Sequence, residues 1–583
     1  MKKLSVFLIF LLIFVLSALF VFNLWFGKKN LEEAKIALLA GDFKKAQSQA
    51  VSSLHSFQRT KIFLSVLPFS GNFSQIRELT EIGEGLGKIA LHLANTGELI
   101  ERIFGVVLGK EVGDLEEIAK EAKMEIDLVW RDFSLIESAL KKRPIIELPD
   151  MRKKIEIGRE FFSIIPEVVG VSQKKSYLFL FQNNMELRAT GGFIGSYGLA
   201  IFENGKLLDF QVEDVYTADG QLKGHVEPPA PIRKYLGEAG WYLRDSNFDP
   251  DFPKTTERVK WFFQKETGRV VDGVIGVNLF VVQKILRAIG SVKLPDYQEV
   301  ITADNLFERG EYYSEVGSFP GSTQKKDFLG ALASEIFQRL NQTDNWLEIG
   351  EALFDSLEEK QILISLDDEK AAKVINHYHW DGEIMPNTKY QIPNTKYIPD
   401  YLMVVESNFG VNKSNYFIDR KLNHKIEIKE GIEEELVIHY QNNSPIHVWP
   451  GGDYKNYLRI YVPLKSQLLE VKIDEKPFDL REVDVFPASE KSVFGFLVKV
   501  PVGEEREVKV RYRIPFKFED FTAYALFFQK QSGTGGDPLS VLVDYPSSLK
   551  IVKIAPDALT GQYVLLYNTE LSKDRLFLFE YIQ

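Results

Sequence analysis

The chain has 583 residues, 45% hydrophobic and 26% charged, enough for several folded domains. Its formal net charge is −11 and no segment forms a basic stripe, which excludes the electrostatic footprint of a nucleic-acid binder. Cysteine is absent, which removes disulfides, thiolate nucleophiles, Cys-bound zinc, iron–sulfur clusters and a lipid-modified Cys anchor.

In chain order the first element is apolar. Lys2 and Lys3 precede an uncharged run from Leu4 to Phe26, which Lys28 and Lys29 close. At ~1.5 Å rise per residue the run spans roughly 34 Å as a helix, enough for a ~30 Å hydrocarbon core. It is longer than a secretory signal's core, and no small-residue cleavage site follows. The expectation is an uncleaved transmembrane signal anchor over residues 1–29. The cytoplasmic membrane is then a partner, and the bulk of the chain lies outside it.

Residues 30–172 read as a helical stalk. Ala34, Ala37, Ala46 and Ala50 surround a Gly41-Asp42 turn, as in one small-residue helical hairpin. Leu79, Ile82, Leu86, Ile89, Leu93 and Ile100 form an apolar seam with mostly 3-4 spacing. Asp114, with Glu117 three residues on, marks the start of the next helix.

Residues 173–400 read as a central α/β (α+β) domain. Tyr177–Phe181 has the look of a buried strand. Glu203-Asn204-Gly205 separates two strand-like runs, a strong hairpin signal. Val270–Val277 is a further strand, Asn278 caps a helix and Gly290 stops it; Phe328–Leu340 is another helix. Pro-Asn-Thr-Lys-Tyr occurs twice, at residues 386–390 and 393–397, as a local duplication in a connection. Residues 401–583 alternate with period two, as in Glu507–Ile514, and are broken by Gly, Pro and Asn turns. They predict an immunoglobulin-like β-sandwich. The fold class expected is therefore multidomain: transmembrane helix, helical stalk, central α/β domain and C-terminal sandwich.

Three clusters could carry chemistry. In Glu186–Ser196, Arg188 precedes Gly191, Gly192 and Gly195. Glycines let a ligand approach the backbone, and an Arg pairs with phosphate or carboxylate. A tight turn with a structural Arg–Glu pair reads equally from this spacing. Arg244, Asp245, Asp249 and Asp251 crowd a Pro-broken loop, and alternate carboxylates suit Ca²⁺ or Mg²⁺. The other reading is a capping loop. Lys325 and Lys326 head a helix, where amides and ammonium groups could hold phosphate or be solvated. His377 and His379 could share a metal only from one strand face. In the sandwich, Trp449 and Tyr454 lie in its longest turn-rich stretch, where they would contact a sugar or protein, or fill the core.

At these residues the chain resembles a family. Asn183-Asn184, then Glu186–Ser196, looks like the signature of the bacterial "domain of unknown function 4012" family. Asp249–Pro253, Val271–Val277 and Asn412–Tyr416 are similar to further parts of its pattern, so that the resemblance covers most of residues 175–540. It implies a membrane-anchored protein with no established activity. Val271–Leu294 and Lys325–Leu340 are more distantly similar to the LytR-CpsA-Psr family, whose members transfer envelope glycopolymers from polyprenyl-pyrophosphate carriers. Arg188 falls on that family's Arg-x-Asp-Thr motif, whose Asp is missing here because Thr190 follows Ala189 directly.

On a transferase reading the expected catalytic residues are Arg188, Arg244 and Asp245. The same reading implies ligand binding by Gly191, Gly192, Lys325, Lys326, Asp249 and Asp251, with Asp249 and Asp251 on Mg²⁺. The partner implied is a cell-wall polymer or a polyprenyl-phosphate lipid. The rival reading is a non-enzymatic surface scaffold with an Ig-like domain.

Overall fold

A computed structural model describes residues 2–66, 74–141, 148–315, 324–340, 342–343, 345–386, 396–445, 450–517 and 521–582. For residues 2–17, 66, 148, 149 and 315 it describes the backbone alone. The duplicated Pro-Asn-Thr-Lys-Tyr segment falls almost wholly outside these residues, as does Trp449. The chain divides into two compact units, both discontinuous. The first comprises Met1–Lys175, Ile201–Asp209 and Phe337–Glu351; the second comprises Ser176–Ala200, Phe210–Ile336 and Ala352–Gln583.

The first unit is mainly helical: Lys2–Leu39, Phe43–Val66, Ser74–Val107, Leu115–Leu140 and Leu148–Val168. The expected small-residue hairpin forms, and the third helix joins it through Ala90 and Ala94. Ala34 and Ala50 meet Ala90, and Ala37 and Ala46 meet Ala94. Such residues let helix backbones approach closely, and a buried bond from Ser53 Oγ to the Gly27 carbonyl, 2.8 Å, uses that approach. The predicted cap is present: Asp114 Oδ1 accepts from the amides of Glu116 and Glu117 at 3.1 and 3.2 Å. Ile82 and Ile89 then pack with Ile118, Val129, Phe133 and Ile136 in one apolar core.

The transmembrane anchor requires correction. Among the described residues no helix is long and apolar enough to cross a membrane. The helix Lys2–Leu39 continues without a break through Lys28, Lys29, Glu32 and Glu33. Within the apolar run the described side chains begin at residue 18 and end at Phe26. The rest of the apolar run, Leu4–Ser17, lies outside the described side chains.

The second unit holds most of the α/β region together with the sandwich. The central sheet has, in order, strands Lys206–Asp214, Phe193–Glu203, Lys175–Asn183, Gly273–Asn278 and Ile362–Leu366. Tyr177–Gln182 runs parallel to Gly273–Asn278, which pairs antiparallel with Ile362–Leu366. The Asn204-Gly205 turn has φ of 52° and 75°, the two positive values that make a tight hairpin follow strand twist. Asn278 caps the helix Leu279–Ile289 by accepting from the Phe280 amide at 3.1 Å. His377 ends a helix and His379 sits in a turn at φ 60°, so the two share no strand face.

The sandwich is larger than expected. One described sheet has eight strands and the other seven, against ~7–9 in total for an immunoglobulin domain. Its first strand, Tyr397–Val405, starts before the expected boundary and lies between Tyr454–Pro463 and Ala523–Gln529. Ile418–Ile428, Ile432–Asn442 and Glu505–Ile514 are neighbours in the eight-stranded sheet. Val508, Val510 and Tyr512 face the core while Lys509, Arg511 and Arg513 face outward, as the alternation predicts. Both sheets contribute to one apolar core.

Candidate functional site

The glycine loop after Lys175–Asn183 folds back on itself. The Phe193 amide donates to the Glu186 carbonyl at 2.9 Å, and the Gly191 amide to the Arg188 carbonyl at 3.1 Å. Gly191 and Gly192 have φ of 132° and 155°. A Cβ on Gly192 would sit 2.3 Å from the Asn183 carbonyl carbon, and one on Gly191 would sit 2.8 Å from Ser532 Oγ. The close approach these glycines allow is therefore made by the chain's own backbone and by the Ser532-Gly533 turn of the sandwich.

Arg188 is 4% exposed. Its Nη2 donates to Glu186 Oε1 at 2.9 Å, its Nη1 to the Asn408 carbonyl, and its Nε lies 3.7 Å from Asp245 Oδ1. The guanidinium also stands over the rings of Phe193 and Phe409, each 5.6 Å away. Lys413 Nζ donates to the other oxygen of Glu186 at 2.5 Å. Burial would raise the Glu186 carboxyl, but Lys413 and Arg188 together hold it below its ordinary range.

Arg244 is built the same way. It donates to Asp219 at 2.8 Å and to Glu238 at 3.0 Å, stacks 4.4 Å from the Tyr242 ring, and lies 3.5 Å from Asp245 Oδ2. The two arginines expected to face one ligand are thus brought together, with a buried carboxylate between them. Burial pushes Asp219 up to about 6 against the pull of Arg244, and raises Asp245 against both arginines. Nearby Glu266 is pushed up to about 8 by burial and by the charge of Asp219.

The other nominated residues have structural partners. Asp249 Oδ1 accepts from the Asp251 amide at 3.0 Å, and Asp251 Oδ2 accepts from Ser489 Oγ at 2.8 Å and pairs with Lys254 at 3.4 Å. They serve the loop that leads into the helix Phe252–Thr267, where Asp251 stands at the N-cap without a side-chain capping bond. Lys325 donates to the Gly195 carbonyl at 2.6 Å and pairs with Asp214 at 3.3 Å; Lys326 pairs with Glu213 at 2.8 Å. Tyr454 is fully enclosed, its hydroxyl on Glu406 at 2.8 Å, so it contacts nothing outside the molecule.

Sequence reasoning missed the partners Asp219, Glu238 and Lys413. It also missed three buried polar residues of the sandwich, Asp400, His424 and Glu434, whose ligand atoms all lie within 4.8 Å of one another. Burial pushes Glu434 up to about 7 and His424 down to about 4. A signal was present: His424 interrupts Leu422 and Ile426, and Glu434 interrupts Ile432 and Leu436, all core positions of alternating strands.

The glycine loop and the Arg244 loop share one segment of the chain with a recognised pattern. Residues 172–312 match the model of a protein family of unknown function, DUF4012. The match supports the family expected from the signature, over a shorter stretch than the resemblance suggested; Asn412–Tyr416 lies beyond it. No curated protein matches the chain. Among solved structures, protein gbs0355 from Streptococcus agalactiae is similar at 12% identity and a TM-score of 0.24, covering 38% of this chain and 76% of that one. Yeast LTA4 hydrolase with bestatin is similar at 8% identity and a TM-score of 0.19, covering 28% of this chain and 29% of its own. An M1 zinc metallopeptidase from Deinococcus radiodurans aligns at 8% identity and a TM-score of 0.17, over 28% of this chain and 42% of that one. The chain therefore spans less than a third of the yeast hydrolase.

Proposed function

We propose that the chain is a non-enzymatic, extracytoplasmic binding and spacing protein whose sandwich recognises a cell-wall polymer. One observation carries this reading: the two arginines nominated for pyrophosphate, Arg188 buried and Arg244 partly buried, are both engaged by carboxylates. Arg188, Arg244 and Lys413 face the carboxyls of Glu186, Asp219, Glu238 and Asp245. Drawing either Arg onto a ligand takes a cationic partner from buried carboxylates, a cost of about 3–5 kcal/mol. A transferase needs its cations available to the developing charge.

A surface for recognition exists elsewhere in the second unit. An open groove of about 760 Å³ runs between Lys550–Ala555 and Leu559–Gly561, the outermost described strands of the two sheets at that side. Tyr545 and Tyr563 meet edge to face there, with ring centroids 6.1 Å apart, beside Lys553, Asp557 and Gln562. Flat rings beside mixed donors and acceptors suit sugar rings.

The test is cosedimentation of the full chain with insoluble bacterial wall polymer, together with mass spectrometry of lipids bound to the purified protein. The expected outcome is pelleting that Tyr563→Ala weakens, with no prenyl-phosphate lipid. A stoichiometric prenyl-phosphate lipid, released by Arg188→Gln, would overturn the reading in favour of transfer chemistry.

A further inference from the structure

Asp400, His424 and Glu434 reach one point in the sandwich interior from three strands and two sheets. Asp400 comes from Tyr397–Val405 in the seven-stranded sheet; His424 and Glu434 come from the adjacent strands Ile418–Ile428 and Ile432–Asn442 in the other. Glu434 pairs across its ladder with Ile426, two residues from His424, so the two side chains are diagonal neighbours on the inner face. Their ligand atoms and that of Asp400 lie within 4.8 Å of one another.

The cluster is incomplete as it stands. The side chains of His424 and Glu434 are 0% exposed. His424 Nε2 lies 3.1 Å from Glu434 Oε2, yet neither ring nitrogen makes a hydrogen bond among the described residues, and Glu434 Oε1 makes none either. Neither carboxyl has a Lys or Arg partner among the described residues. Elsewhere in the sandwich buried carboxylates are paired: Glu406 has Arg420 at 3.1 Å. Leaving buried polar atoms unmatched costs about 1–3 kcal/mol each, more if charged.

Outer partners are in place. Tyr512 donates to Glu434 Oε2 at 2.7 Å, Tyr524 donates to Asp400 Oδ2, and the Tyr401 amide donates to Asp400 Oδ1 at 2.7 Å. Hydrogen bonds of this kind fix ligating carboxylates in orientation. The surrounding core, with Leu422, Ile426, Leu436 and Leu526, is apolar.

We propose that Asp400, His424 and Glu434 bind a divalent first-row metal ion, Zn²⁺ in first place, as a structural rivet between the two sheets. Two carboxylates and an imidazole are ligands that Zn²⁺ accepts, and an imidazole disfavours Ca²⁺ and Mg²⁺. A 2+ ion balances two carboxylates and takes up the unmatched Nε2 and Oε1. The site is distinct from Asp249 and Asp251, which engage Ser489, Lys254 and the loop backbone.

The full chain is expressed in medium supplemented with Zn²⁺ and Mn²⁺ and purified without chelator, and its metal is measured by plasma mass spectrometry. The expected result is about one ion per chain, predominantly zinc, and a melting temperature several degrees lower when the protein is unfolded, stripped and refolded without metal. Glu434→Gln and His424→Leu lose the ion, whereas Asp249→Asn with Asp251→Asn keeps it. Wild-type protein carrying no metal above background overturns the proposal, as does retention of the ion by folded Glu434→Gln. If neither variant folds, the wild-type refolding comparison decides: a melting temperature unmoved by Zn²⁺ or Mn²⁺ sinks the idea.

Discussion

Asp245 touches two guanidinium groups at once, at 3.7 Å from Arg188 and 3.5 Å from Arg244. A group in that position acts on stability first. Arg188→Met is expected to destabilise the second unit by about 3–5 kcal/mol, because Asp245 and Glu186 lose a buried partner. Urea denaturation measures it; an unchanged midpoint would mean that the arginine is held for a ligand. Glu266 makes a second prediction. Its carboxyl is raised to about 8 by burial beside Asp219. The folded state binds the proton more tightly than the unfolded state, so this stability is present in full below the ordinary pKa of 4.5 and is lost as pH rises through about 8. Glu266→Gln should flatten the fall in melting temperature over that window and raise it above pH 8. A variant that melts in parallel with wild type across the window would contradict the assignment.

At the scale of the element, local chemistry was legible and long-range pairing was not. Asn204-Gly205, the Asp114 cap and the Asn278 cap are each written within four residues, and each forms as read. The same holds for the outward Lys509, Arg511 and Arg513. The glycine loop was legible as a place of close approach, but not in what approaches. Its partners Asn408, Lys413 and Ser532 are more than 200 residues away in sequence. The buried histidine and glutamate of the sandwich were visible as breaks in apolar alternation, yet only folding brings Asp400 to them. Gly192→Ala tests the loop. Its Cβ would collide with the backbone of Asn183 and Asn184. At φ 155° the strain adds about 1–3 kcal/mol to that clash. Thermal melting should fall by several degrees; unchanged melting would show that the loop can open to admit a ligand.

For the whole molecule, the α/β region and the sandwich lie mostly in one compact unit and share buried hydrogen bonds. Asn184 donates to the Gly533 carbonyl, Gln531 to the Arg188 carbonyl, and Gln361 to the Thr534 carbonyl, all buried. A perturbation in the sandwich should therefore loosen the central sheet. Gly533→Ala places a Cβ 2.1 Å from the Gly191 oxygen at a φ of 83°. Hydrogen exchange should quicken in Lys175–Asn183 and Phe252–Thr267 as well as in the sandwich. Loss confined to the sandwich strands would restore the expected boundary.

The interleaving of the two units also sets a timetable for synthesis. The helical unit receives its last segment, Phe337–Glu351, 176 residues after its first segment ends at Lys175. At ~5–20 residues per second, the nascent helices wait roughly 10–35 s for that piece. Meanwhile the second unit has begun at Ser176 and cannot finish until the strand Arg575–Ile582 emerges, since it pairs with both Ala523–Gln529 and Lys550–Ala555. Each unit is still unfinished while the other is being made. A ribosome stalled between residues 176 and 350 should display a chain that a protease or chaperone recognises, whereas one stalled soon after residue 351 has exited should carry a protected helical unit.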